Sequence, residues 1–159
     1  MQFNFLKKKF INNLRKKKIK ICIAESITGG FLSSELVKIP NASEYLEYSI
    51  VSYSLNSKES LFNIKSHIKK YGVVSYEVAE LMARKIRIFS KEKNLLSISC
   101  TGFAGPASDK YSNLGTVYIA AMYLTNLKVI KKKIKSKDRK QIIRLTALEM
   151  IKISNSLIS

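Results

Sequence analysis

Residues 24–30 read AESITGG and follow the apolar run at residues 19–23. A carboxylate, two hydroxyls and two glycines at the end of a buried strand suit two ends. One is a strand-to-helix turn capped by Ser26 or Thr28. The other is a serine nucleophile beside backbone amides that could hold an oxyanion or a phosphate. A serine needs a base, and the chain has one histidine, His67, which sits among lysines and reads as a surface residue. A lysine serves when burial or neighbouring positive charge keeps its amine neutral. Lys58 is the candidate, because it closes the segment YSLNSK just past a β-rich run containing Tyr53. The Tyr53 hydroxyl could relay a proton or orient the pair. By composition alone, Lys58 is one solvated lysine among many.

The elements expected to position these groups alternate. A helix over 4–17 leads to a strand at 19–24, and the two glycines open a helix that stops at Pro40. Residues 45–54 are β-rich, and a short helix lies near 58–62. A helical turn and a loop cover 66–75. An amphipathic helix over 75–94, capped by Ser75, carries Val78, Leu81, Met82, Ile86 and Phe89 at helical spacing. A buried strand follows at 95–100, then strands at 116–124 and 127–135 joined by a turn at Thr125 and Asn126, and a final helix starts near Asp138. This order predicts an α/β fold, a three-layer α/β/α sandwich around a mostly parallel mixed sheet of about five strands. In such sheets ligands bind beyond the carboxyl ends of the strands. ESITGG, YSLNSK and TGFAGP all lie there.

The 159 residues predict one domain over 1–159, and no apolar run is long enough to span a bilayer. The N-terminal segment lacks the pattern of a signal peptide, so the expected location is cytoplasmic. Cys22 and Cys100 read as small buried hydrophobes rather than a disulfide or metal site, and no metal is expected. The net charge of +18 would attract nucleic acid, yet only five of the 29 basic residues are arginines. Arginine dominates specific contacts to bases and phosphates. The lysine runs at 7–9, 16–18 and 131–133 fall on separate elements, as on a solvated surface.

AESITGG, YSLNSK, GVVS and TGFAGP…LGTVYIA occur in the order and approximate spacing of the CinA C-terminal domain, which this chain resembles from about Leu14 to the terminal helix. The resemblance implies hydrolysis of nicotinamide mononucleotide to nicotinate mononucleotide and ammonia, without a cofactor. It implies Ser26 as nucleophile, Lys58 as base and Tyr53 as their helper, with backbone amides at 28–30 around the oxyanion. Substrate contacts are expected from Glu25, Thr28, Gly29, Gly30, Thr101, Gly102, Ala104 and Gly105. Arg139 or Arg144 in DRKQIIR would meet the phosphate, or simply charge the helix surface. The resemblance also suggests a stand-alone amidohydrolase, without the further N-terminal domain that many relatives carry. The chain departs from the family in ASDKYSNL, where glycines and a proline are usual, in Ile27, and inside YSLNSK. The expected partner is a small pyridine nucleotide, with no membrane and no nucleic acid, and a homo-oligomer is left open. Two other readings stand beside it, a nucleic-acid-associated binding protein and a catalytically silent relative.

Overall fold

The computed structural model describes residues 2–105 and 114–159. Its centre is a five-stranded sheet in the order β2-β1-β3-β4-β5. The strands are β1 (Lys20–Glu25), β2 (Leu46–Val51), β3 (Leu95–Gly102), β4 (Thr116–Tyr123) and β5 (Asn126–Lys133). β1 pairs in parallel with β2 and β3, whereas β4 is antiparallel to both β3 and β5. Only β4 is therefore reversed. β1 and β3 are buried along nearly their whole length. That is why they read as continuous apolar runs rather than alternating ones: both faces of the sheet are covered.

One face is covered by α1 (Gln2–Lys16), α2 (Phe31–Val37) and α6 (Arg139–Ile158). Phe10, Leu14, Leu32, Ile142 and Ile151 pack there against Ile21, Ile23, Ile98 and Ile119. The other face carries α3 (Leu55–Phe62), α4 (Lys65–Tyr71) and α5 (Tyr76–Lys85). Phe62, Val78 and Met82 pack there on Cys22 and Ala24, and Ala79 and Ala83 meet Ala120. The fold is the expected three-layer α/β/α arrangement. Cys22 and Cys100 are free and buried, and His67 is exposed. Among the described residues no helix is long and apolar enough to cross a membrane.

Four details differ from the sequence reading. α5 ends at Lys85 and tightens into a 3-10 turn over Ile86–Phe89 instead of continuing to residue 94. A 3-10 turn advances each side chain by more than an α-helix does, so Phe89 rotates off the buried stripe and is half-exposed. The β4–β5 turn consists of Leu124 and Thr125, since Tyr123 already pairs with Asn126. Lys7 is buried and bonds to Glu35 at 2.7 Å, clamping α1 to α2 rather than joining a solvated run. Finally, the turn after β1 is capped by neither Ser26 nor Thr28. Gly30 is the helix-flanking residue and supplies no side-chain cap. Ser75 does cap α5, accepting from the Val78 N–H.

Candidate active site

The connection leaving β1 runs through α2 on one face, to β2 at one side of the sheet. The connection leaving β3 runs the other way, to β4. Loops that diverge from adjacent parallel strands open a crevice at their carboxyl ends. Ser26 follows β1 there, and residues 103–105 follow β3. Between them lies a cavity of about 220 Å³, bordered by Ser26, Lys58, Thr101, Gly102 and Arg139.

Lys58 is 1% exposed although it is an ionisable group on a short surface helix. Ser54 caps α3 by accepting from the Ser57 N–H, and the helix so started turns Lys58 inward. Its Nζ donates to the Ser52 carbonyl at 2.6 Å and to the Tyr53 carbonyl at 2.9 Å. Burial pushes its pKa down from 10.5 to about 8. A neutral amine has two N–H bonds and one lone pair. With both hydrogens held by carbonyls, the lone pair is what remains to receive a proton. Among the described residues the Ser26 hydroxyl has no hydrogen-bond partner, and Ser26 is only 7% exposed.

Glu25 is not a substrate contact. It is fully buried, and its carboxylate accepts from the N–H groups of Gly30, Leu32 and Ser33 and from the Ser33 hydroxyl. It thus caps α2 from the preceding strand and satisfies amides that the helix itself leaves open. Replacing it with glutamine, which keeps the volume but sets an NH2 donor among donors, should lower unfolding free energy by about 2–4 kcal/mol. Urea denaturation measures that loss.

The amides at residues 28–30, which the sequence reading gives to the oxyanion, are already engaged. The Gly29 N–H is held by the Ser26 carbonyl at 3.0 Å and the Gly30 N–H by Glu25. Thr28 turns its hydroxyl to the Cys100 Sγ at 3.2 Å. Thr28, Gly29 and Gly30 border a separate hollow of about 480 Å³ with Phe31 and Lys140, not the Ser26 cavity. Among the described residues, the amides free of protein partners beside Ser26 are those of Ile27, Ala104 and Gly105. The amide directly after a nucleophilic serine is a common oxyanion donor.

Cys100 was expected only as a core hydrophobe, and it lies beneath the Ser26 turn. Burial, and then the Glu25 charge, push its thiol up to about 11 against the Thr28 hydroxyl and the Ser26 and Thr28 amides. It therefore stays protonated near neutral pH and is no rival nucleophile.

Residues 101–105, at the end of β3 and just beyond it, are tightly held. The Thr101 hydroxyl donates to the Val73 carbonyl at 2.8 Å. A Cβ on Gly102 would stand 2.6 Å from Val117 Cγ1 and 2.8 Å from Ile27 Cδ1, so only glycine lets this loop approach the Ser26 turn. Gly105 has a φ of 87°, and its carbonyl accepts from Arg139 Nη1 at 2.6 Å. The other Arg139 nitrogen donates to the Tyr53 hydroxyl. Tyr53 is thus not a side-chain relay between Ser26 and Lys58: its carbonyl reaches Lys58, and its hydroxyl is taken by Arg139. Arg144 lies away from the cavity, over the Phe3 ring. It faces the α1 side because it stands more than one turn beyond Arg139 on α6. The altered loop at residues 107–113 lies outside the described residues.

Val73, Val74 and Phe103 also border the cavity. Their types carry no chemical signal in the sequence, and only the GVVS match hinted at the first two.

The sequence profile of the CinA C-terminal domain matches residues 3–157. The chain belongs to this family. A CinA-like protein of Prochlorococcus marinus subsp. pastoris is 44% identical over 128 residues, covering 76% of this chain and 29% of that protein. A CinA-like protein of Fusobacterium nucleatum is 39% identical over 132 residues, covering 82% of this chain and 31% of that protein. This CinA-family chain thus spans about a third of the length of the curated relatives it matches. The crystal structure of a competence/damage inducible protein from Agrobacterium tumefaciens superposes with a TM-score of 0.92 at 21% identity, covering 100% of this chain and 97% of that one. At that identity the match speaks for the shared fold.

Proposed function

We propose that this chain hydrolyses the carboxamide of nicotinamide mononucleotide through a Ser26 acyl-enzyme, with Lys58 as the base. The observation that carries the reading is the buried Lys58 amine, both N–H bonds tied to carbonyls, in the same cavity as an unpartnered serine hydroxyl. Lys58 takes the Ser26 proton as Oγ bonds to the carboxamide carbon. The amides of Ile27 and Ala104 receive the oxyanion. Lys58 then protonates the nitrogen, the C–N bond breaks, and ammonia leaves. Water, deprotonated by the same amine, adds to the ester carbon, and Oγ departs with the proton returned. No step needs a metal or an organic cofactor. Arg139, which has no carboxylate partner among the described residues, is the donor for the 5′-phosphate.

Incubating the purified chain with nicotinamide mononucleotide should release ammonia and nicotinate mononucleotide in equal amounts. Added hydroxylamine should divert part of the product to the hydroxamate, because an acyl-enzyme is open to any strong nucleophile. Absence of ammonia at all substrate concentrations would overturn the reaction, and ammonia without hydroxamate would favour direct attack by water.

A further inference from the structure

We infer that Phe103 is the specificity-determining platform that recognises a cationic heteroaromatic ring in the Ser26 cavity, an inference that rests on the pyridine-nucleotide reading above. Phe103 is a large aromatic left 41% exposed at the border of the cavity. Its backbone is pinned on both sides: its N–H donates to the Thr116 carbonyl at 3.0 Å, and its carbonyl accepts from the Gly115 N–H at 2.7 Å. The ring is therefore presented by a fixed backbone.

The charge balance of the cavity gives that exposure its meaning. Among the described residues its wall carries two basic side chains, Lys58 and Arg139, and no carboxylate. The nearest acid in sequence, Glu25, is fully buried and spent on α2. Among the described residues, a substrate with a positive ring and a negative phosphate finds a partner for the phosphate in Arg139 and no anion for the ring. What remains to favour the cation is the negative face of an aromatic ring. Tyr53 is the other aromatic on this border, and its hydroxyl is tied to Arg139. Phe103 has no such tie.

The test uses nicotinamide mononucleotide and its 1,4-dihydro form, which keeps the carboxamide and phosphate but has an uncharged ring. Dissociation constants are measured by calorimetry on the Ser26→Ala protein, so that turnover plays no part. The cationic ring should bind more tightly, and adding Phe103→Leu should shrink that preference by about three- to tenfold. Phe103→Tyr should restore it. Circular dichroism melts check that both variants fold. Equal weakening of both ligands by Phe103→Leu, or no preference at the outset, would overturn the inference. Retained ring preference in a wild-type protein that releases no ammonia would overturn the amidase reading alone.

Discussion

Ser26→Ala should lower the turnover of nicotinamide mononucleotide by about 10³–10⁶-fold, the range seen when serine hydrolases lose their nucleophile. Ammonia release at saturating substrate is the measurement. Stability should change by less than about 1 kcal/mol, because the lost hydroxyl leaves no buried donor or acceptor unpaired. This pairing of outcomes distinguishes a nucleophile from a structural turn serine, whose removal would do the reverse. If Ser26→Ala keeps its activity, the covalent route is wrong and Lys58 must activate water directly.

Lys58→Met should remove activity to a similar extent and yet raise stability by about 1–2 kcal/mol near neutral pH. Relief from burying a charge exceeds the cost of leaving the Ser52 and Tyr53 carbonyls without that donor. The sign follows from burial. The lysine titrates near 10.5 in the unfolded chain and near 8 in the folded one. Below the folded value the native state holds a buried charge, and the penalty is fully present. Between the two values the unfolded chain binds more protons, so wild-type stability climbs with pH and the penalty disappears. The methionine variant lacks that slope. Denaturation midpoints across this window, compared between the two proteins, measure it. The same value sets the rate profile: the amine works only when neutral, so kcat/KM should rise with pH to half its plateau near pH 8. A flat profile, or a variant less stable than wild type throughout, would mean that Lys58 supports the fold instead of serving as its base.

The site joins two kinds of demand on the same turn. Glu25 gives up both oxygens to hold α2, and this frees the next residue from any capping duty. Cys100, from β3, sits beneath the turn and engages Thr28, the other hydroxyl that could have competed. Among the described residues the Ser26 hydroxyl is thus left without a partner, because its neighbours already have theirs. Gly102 completes the arrangement by letting the β3 loop close against Ile27. A side chain there would push the two halves of the cavity apart.

The alternation of strands and helices, the buried character of β1 and β3, and the polar segments at the strand ends were legible in the sequence because each is set by local periodicity and turn chemistry. The pairing of Ser26 with Lys58 came from the resemblance of AESITGG and YSLNSK to the family's motifs; by residue type alone Lys58 is one of 24 lysines. The roles of the intervening residues were not legible. Whether a carboxylate faces substrate or a helix N-terminus depends on which amides lie within 3 Å of it in space. Glu25 reads identically in either case. The proposed oxyanion donors are Ile27 and Ala104 instead of residues 28–30 for the same reason: an amide is available only if nothing in the fold has claimed it. Arg139 and Arg144 differ by five positions on α6, and only the packing of that helix decides that one reaches Gly105 and the other Phe3. The chemical inventory is a property of the sequence. Which groups remain unpaired, and so free to react, is decided by tertiary contacts between segments far apart in the chain.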